Sequence, residues 1–245
     1  MTNFACNCKF IQITDMLIAI EGLDGSGKTT QVEMAREYLS TLGKLRYEHF
    51  PRFDAPVFGR MLSMFLRGEF GSIDKVHPML VALLFAEDRR SASPQIRQWL
   101  DDGDIVLLDR YVYSNIAFQG AKTRTAEECD RLAGWILDTE YAEFGIPRPD
   151  INLFLDVPLD FIDGRLKERR CAGDREYLHG KADIHESDMR FQARVREVYL
   201  KQCSADPHFI RIDCSGPDGG MLPAGTIFEK IKEHIDNALQ GHRLP

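Results

Sequence analysis

The chain has 245 residues, 44% hydrophobic and 28% charged, the composition of a globular protein able to bury a sizeable core. A formal charge of −7 and an isoelectric point near 5.5 exclude a general binder of nucleic acid or of anionic membranes, which needs a net basic face. Cysteines at 6, 8, 129, 171, 203 and 214 complete no metal-ligand spacing. With no secretory leader and no apolar run of membrane-spanning length, they are expected to be free thiols in a reducing cytoplasm.

Residues 1–15 precede the first strand and are expected to be a disordered extension or the product of a start codon upstream of Met16. Leu17-Ile18-Ala19-Ile20 is a short apolar run of the kind that forms a buried parallel strand. It leads into Gly22-Leu23-Asp24-Gly25-Ser26-Gly27-Lys28-Thr29, which fits G-x-x-x-x-G-K-[ST] at every fixed position. Residues 30–42 follow with Val32, Ala35, Leu39 and Leu42 at helical spacing. Strand, loop and helix together mark a phosphate-binding loop. Its glycines let the backbone wrap an anion, and the following helix N-terminus supplies partial positive charge. Lys28 is placed to reach the β- and γ-phosphates of a nucleotide, and the Thr29 hydroxyl to ligate Mg²⁺.

After a C-cap at Gly43, residues 45–50 read as a second strand ending at Pro51. Residues 58–66 carry apolar side chains at 58, 61, 62, 65 and 66, which predicts an amphipathic helix. Asp74 or Lys75 opens a longer helical run that closes on Glu87-Asp88-Arg89-Arg90, and Pro94 then starts a separate helix to Leu100. Ile105-Val106-Leu107-Leu108-Asp109 is a buried strand delivering a carboxylate at its C-terminal end, where open α/β sheets keep their ligands. Beside a phosphate loop, that Asp109 is a ligand of Mg²⁺ or the partner of one of its ligands.

Thr125-Ala126-Glu127-Glu128 is a capping box opening a helix, and residues 151–156 form another strand. From Phe161 the chain turns basic, with Arg165, Lys167, Arg169, Arg170 and Arg175 among Gly164, Gly173 and Gly180. Such a stretch suits a lid over phosphates, and its other reading is a solvated helix face. Residues 188–203 read as a helix, 209–213 as the last strand, and Thr226-Ile227-Phe228-Glu229 as a second capping box starting the C-terminal helix. Five strands alternating with helices imply an α/β fold, a doubly wound sheet of about five parallel strands flanked by helices.

Taken in order, the motifs resemble the thymidylate kinase family from about Met16 to Leu239. The resemblance is carried by Glu21 through Thr30, by Phe50-Pro51-Arg52, by Leu84-Phe85-Ala86-Glu87-Asp88-Arg89, and by Asp109-Arg110-Tyr111 continuing to Ser114, Phe118, Gln119 and Gly120. The lid region and Asp183-Ile184-His185-Glu186 are also similar. It implies one domain over residues 16–240 with a lid at about 164–186, in a cytoplasmic homodimer that takes Mg²⁺, ATP and dTMP and contacts neither nucleic acid nor membrane.

The same resemblance assigns roles. Phe85 stacks on the thymine ring and Arg89, one turn later, donates to a base carbonyl. Arg110 holds the acceptor phosphate and Arg52 assists, with Phe50, Pro51, Ser114, Phe118, Gln119 and His185 lining the nucleoside side. The loop from Gly22 to Thr29, with Thr30, binds ATP, and Arg165 stacks on adenine. Asp24 lies near sugar and phosphates, and Thr29 and Asp109 hold the metal. Two features depart from the family pattern. Gly25 and Ser26 stand where some members carry a loop arginine, which moves the catalytic cation to the lid, at Arg169, Arg170 or Arg175. His185 stands where some members have a tyrosine, and the 214–225 loop is longer than usual.

The implied reaction is in-line transfer of the γ-phosphoryl group of ATP to dTMP, on the path to dTTP. The alternatives are another nucleotide kinase with a different acceptor and a phosphate-loop switch module. The second lacks its guanine signature, N-K-x-D, in this sequence.

Overall fold

The computed structural model describes residues 15–72, 75–172 and 188–241, with backbone alone for 168–172 and 241. The expected 1–15 extension lies outside the described residues apart from Asp15, and the 173–187 part of the expected lid, with Arg175 and His185, lies outside them too. Five parallel strands, β1 (Leu17–Gly22), β2 (Leu45–His49), β3 (Ile105–Asp109), β4 (Ile151–Asp156) and β5 (Phe209–Asp213), form one sheet in the order β2-β3-β1-β4-β5. Every residue of β1, β3 and β4 is buried, whereas the edge strand β2 is half-buried throughout. That is why the central strands read as unbroken apolar runs.

The connection leaving β1 runs through α1 (Lys28–Ser40) to β2 on one side, and the connection leaving β3 crosses to β4 on the other. The connections therefore progress in opposite directions across the sheet from the adjacent, parallel strands β1 and β3, and the C-terminal ends of these strands border the crevice where such sheets bind ligands. Register makes this concrete, since Ile20 lies opposite Asp109. The phosphate loop and the Asp109–Arg110 corner emerge side by side.

Helix α2 (Phe58–Leu66) forms over the expected residues. Helix α3 differs from expectation in two ways. It begins at Pro78, with His77 as a cap whose ring nitrogen accepts from the Met79 N–H at 3.3 Å, and not at Asp74 or Lys75. It also runs unbroken to Asp101 through Pro94. Pro94 points to solvent while Ala92, Ser93 and Ile96 are buried on the opposite side. Core contacts on both sides of the proline offset its helix-interior cost of about 3 kcal/mol.

Helix α4 (Val112–Gly120) is not among the helices expected from the sequence, although its Ser114 and Phe118 stand four apart. Helix α5 (Ala126–Leu137) forms the first half of its capping box, Thr125 Oγ1 accepting the Glu128 N–H at 3.2 Å, while Glu128 Oε2 reaches one residue further back, to the Arg124 N–H at 2.9 Å. A π-helical turn, Asp138–Glu143, continues it. Residues 159–172 are helix α6, so the described part of the expected lid is helical. Helix α7 (Met189–Ala205) is capped by Asp188. The second box is not realised. Helix α8 (Ala224–Gly241) starts two residues before Thr226, because the Pro223 carbonyl accepts the Ile227 N–H at 3.1 Å and begins the ladder earlier.

Between β2 and α2 the chain packs against itself closely enough to require a glycine. A Cβ at Gly59 would stand 2.3 Å from the Arg52 carbonyl oxygen and 2.7 Å from that of Phe53. One at the exposed Gly134 in α5 would meet nothing within 4 Å. Gly59→Ala is therefore expected to lower stability by ~1–3 kcal/mol, while Gly134→Ala raises it by ~0.5–1 kcal/mol. Urea unfolding of the two variants checks this, and equal midpoints would contradict it.

Candidate active site

The phosphate loop closes on Gly25 and Gly27, at φ 78° and 75°, a left-handed backbone that only glycine adopts without strain. Gly27 caps α1 with no side-chain acceptor and no acidic residue follows in the first turn, which leaves the helix N-terminus free to face an anion. A side chain at Gly22 would meet Ser26 Oγ at 2.8 Å. Leu23 is buried, so it lends the loop its backbone alone, whereas Thr29 and Thr30 are exposed at the helix start.

The Lys28 ammonium is buried and paired with Asp109 Oδ1, and Asp109 Oδ2 lies 3.1 Å from His49 Nδ1. Burial alone would raise the Asp109 pKa, but Lys28 and His49 outweigh it and hold the carboxyl below its ordinary range. Thr29 and Asp109 thus bring hard oxygen donors to the mouth of the loop. They fit Mg²⁺, which takes one or two protein oxygens and fills its shell with water and phosphate.

Arg110 joins this loop to the next helix. It occupies a left-handed backbone, φ 67°, uncommon outside glycine. Its Nη1 donates to the Gly22 carbonyl at 2.7 Å and to Ser114 Oγ at 3.2 Å, and its Nη2 to Asp24 Oδ1 at 2.6 Å. Burial would lower its pKa, yet Asp24 raises it further, so the guanidinium stays charged. Underneath, the buried Glu21 accepts the N–H groups of Tyr111 and Ser114 at 2.9 and 3.1 Å, together with the hydroxyls of Ser114 and, at 3.1 Å, Tyr199. A carboxylate at the start of α4 also complements the helix dipole. The Ser114 hydroxyl is thereby engaged by Glu21.

On the far side, Arg52 is held by the buried Asp88. Its N–H donates to Oδ2 at 2.9 Å, its Nε to Oδ1 at 3.0 Å, and its Nη2 to the Asp88 carbonyl at 2.7 Å. Phe50, joined to Pro51 by a cis peptide bond, is fully buried against Tyr111, so it supports the site from below. Phe85 is half-buried over Phe65, Leu66 and Val81. Arg89 is 2% exposed and clamps Glu140, Nε to Oε2 at 2.5 Å and Nη2 to Oε1 at 2.6 Å. Asn115 Nδ2 donates to the Ala82 carbonyl and to Glu140 Oε1, both at 3.0 Å, and its buried Oδ1 accepts nothing among the described residues. Phe118 lies under Arg110, 5.2 Å from ring centre to guanidinium, and Gln119 Oε1 accepts from Lys122 at 2.7 Å.

Helix α6 seats directly on the loop. A Cβ at Gly25 would meet Leu166 at 3.4 Å and the Arg165 Cβ at 3.6 Å, so Arg165 starts beside the phosphates' cradle. Arg169 and Arg170 continue the same helix. A separate cavity of about 450 Å³, lined by Asp15, Leu17, Arg148 and Asp150, opens at the opposite end of β1.

The sequence pointed to Lys28, Asp24, Asp109 and Arg110, which the fold brings together at the ends of β1 and β3, and to Phe85 and Arg89, which it places on α3. It gave no role to Glu21, Asp88, Asn115, Glu140 or Tyr199. A polar residue amid the apolar α4 run marks Asn115; no local pattern marks Glu140.

Known proteins are similar to this chain along most of its length. The family model described as thymidylate kinase matches residues 20–219. The chain belongs to the thymidylate kinase family. A thymidylate kinase of Mycobacterium tuberculosis is 35% identical over 189 residues, covering 76% of this chain and 85% of that one. A probable thymidylate kinase of Pyrobaculum calidifontis is 36% identical over 235 residues, covering 93% of this chain and 100% of that one. Among solved structures, the thymidylate kinase of Candida albicans matches with a TM-score of 0.68 at 25% identity, over 91% of this chain and 92% of that one.

The Lys28–Asp109 pair generates a prediction. Because folded Asp109 titrates below its ordinary 3.8, its contribution is full above that pH and fades as the pH falls toward the depressed value. Asp109→Asn should cost ~3 kcal/mol at neutral pH, with the gap to the parent protein closing under acid. Urea unfolding across that range measures it, and a gap independent of pH would contradict the pairing.

Proposed function

We propose that this chain transfers the γ-phosphoryl group of ATP to dTMP, giving dTDP and ADP. The observation that carries the reading is Arg110. It is fixed at once to the phosphate loop through Gly22 and Asp24 and to α4 through Ser114, so the cation for the acceptor phosphate is aligned with the donor cradle. The names of the relatives and the family match support dTMP as the acceptor.

On this reading the loop amides, the α1 N-terminus and Lys28 hold the donor phosphates, Lys28 exchanging Asp109 for the β- and γ-oxygens. A 5′-phosphate oxygen of dTMP, already ionised, attacks the γ-phosphorus as the bond to the bridging β-oxygen breaks. No general base and no covalent enzyme intermediate are needed. Arg110, assisted by Arg52, orients the attacking phosphate, and a lid arginine, Arg169, Arg170 or Arg175, meets the transferring group. Bound Mg²⁺, held through Thr29 and Asp109, supplies charge neutralisation across the donor phosphates. Arg165 serves the adenine side, and His185 and Gln119 the sugar side.

At the base, Phe85 provides the stacking face and Arg89 the donor. Asn115 Oδ1 adds the unused acceptor. A donor beside an acceptor matches a pyrimidine edge that presents a carbonyl beside an N–H, as thymine does. We further read residues 16–240 as one domain in a cytoplasmic homodimer. The exposed Val57, Met79 and Leu80 at the start of α2 and α3 support self-association, and among the described residues no helix is long and apolar enough to cross a membrane.

Coupled assays with ATP and dTMP, dUMP, UMP, CMP or AMP test the reading, and a preference for any acceptor but dTMP overturns it. Lys28→Ala is expected to lower kcat by ~10²–10³ with folding intact. Phe85→Ala should raise the KM for dTMP about tenfold, the worth of a stacked ring. An unchanged KM would remove Phe85 from the site.

A further inference from the structure

Glu140 has no place in the chemistry above, yet it is completely buried in the π-helical turn and receives three N–H bonds. Two come from Arg89 and one from Asn115. The π turn matters because its wider winding sets Glu140 apart from the regular face of α5. Its backbone is pinned as well, the Glu140 carbonyl accepting the Ile146 N–H at 3.0 Å.

The three bonds fix more than position. Asn115 has an amide that is nearly symmetric in shape and opposite in chemistry at its two ends, so a rotation by half a turn would exchange acceptor for donor. In this site one end faces two acceptors, the Ala82 carbonyl and Glu140 Oε1. Only an NH₂ satisfies both. The other end is therefore an oxygen, buried and still without a hydrogen-bond partner among the described residues. Arg89 is fixed in the same way: Glu140 takes Nε and one Nη2 hydrogen, leaving its other N–H groups as donors. Burial would lower the Arg89 pKa, and Glu140 more than restores it, so the donor stays charged.

We infer that Glu140 is the positioning residue that sets base selectivity, by locking the Arg89–Asn115 pair in the donor–acceptor order that accepts a thymine edge and refuses a cytosine edge. Resting on the dTMP reading above, the argument is one of polarity. Thymine presents a carbonyl at C4 and a hydrogen at N3, so it meets a donor and an acceptor. Cytosine presents an amino group and a bare nitrogen, so each contact becomes donor to donor or acceptor to acceptor. Buried groups left facing the wrong polarity discriminate by orders of magnitude. Without Glu140 Oε1, the Asn115 amide loses one of the two acceptors that forbid its rotation.

The test compares kcat/KM for dTMP and dCMP in the parent protein, in Glu140→Gln and in Glu140→Asp. A glutamine offers one acceptor atom and one donor atom, so it cannot receive all three bonds. An aspartate keeps the charge that Arg89 needs for folding and draws the carboxylate back from Asn115. Both variants are expected to lower the dTMP-to-dCMP ratio at least tenfold, through a higher KM for dTMP, with the KM for ATP unchanged. Glu140→Asp decides alone if Glu140→Gln does not fold. A folded variant that loses stability or overall rate but keeps the parent ratio assigns Glu140 a structural role only and overturns the inference. A parent protein that does not prefer dTMP to dCMP refutes the functional reading itself, before any variant is compared.

Discussion

The register between β1 and β3 is the constraint on which the rest of the site depends. Because Ile20 lies opposite Asp109, the first residues beyond the two strand ends, the phosphate loop and Arg110, stand next to each other in a crevice that the reversal of strand order opens. Strands buried on both faces cannot slip without exposing an apolar row and breaking a ladder of backbone bonds. Lys28 meets Asp109, and Arg110 meets Gly22 and Asp24, as results of sheet pairing. The left-handed backbone of Arg110 belongs to the same logic. It is a local cost of turning sharply out of the sheet, met by three hydrogen bonds from the two terminal nitrogens of the side chain.

Around that junction the fold repeats one device. A buried carboxylate is spent on holding a neighbour in place. Glu21 holds the start of α4, Asp88 holds Arg52, and Glu140 holds Arg89 with Asn115. Each pairing carries the desolvation cost of burying charge, and each fixes the orientation of the group it holds. Arg52 and Arg89 are thus held in place before any ligand arrives, which leaves less ordering for a binding event.

The sequence exposes the junction and hides the device. The phosphate loop is a contiguous motif, and central parallel strands are contiguous apolar runs, so both are legible in a single pass along the chain. Asp109 and Arg110 follow because they end such a run. Glu140 looks like any glutamate near a helix end, and its meaning comes from Arg89, 51 positions away. Asp88 is read as part of a charged cluster until Arg52, 36 positions earlier, folds onto it. Pro94 misleads for the opposite reason: the local rule is sound, but burial of Ala92, Ser93 and Ile96 outweighs it. The capping pattern at Thr226 likewise yields to the carbonyl of Pro223.

That uninterrupted α3 has a consequence for dynamics. Its 24 residues make a rod of about 36 Å, with Phe85, Asp88 and Arg89 at mid-length and the core-bound Ala92 and Ile96 one to two turns on. A helix broken at Pro94 would let its N-terminal half fray by itself. In one cooperative rod, the amides around Phe85 and Arg89 exchange with solvent only when the domain opens as a whole. The stretch that carries Phe85 and Arg89 thus shares the lifetime of the core.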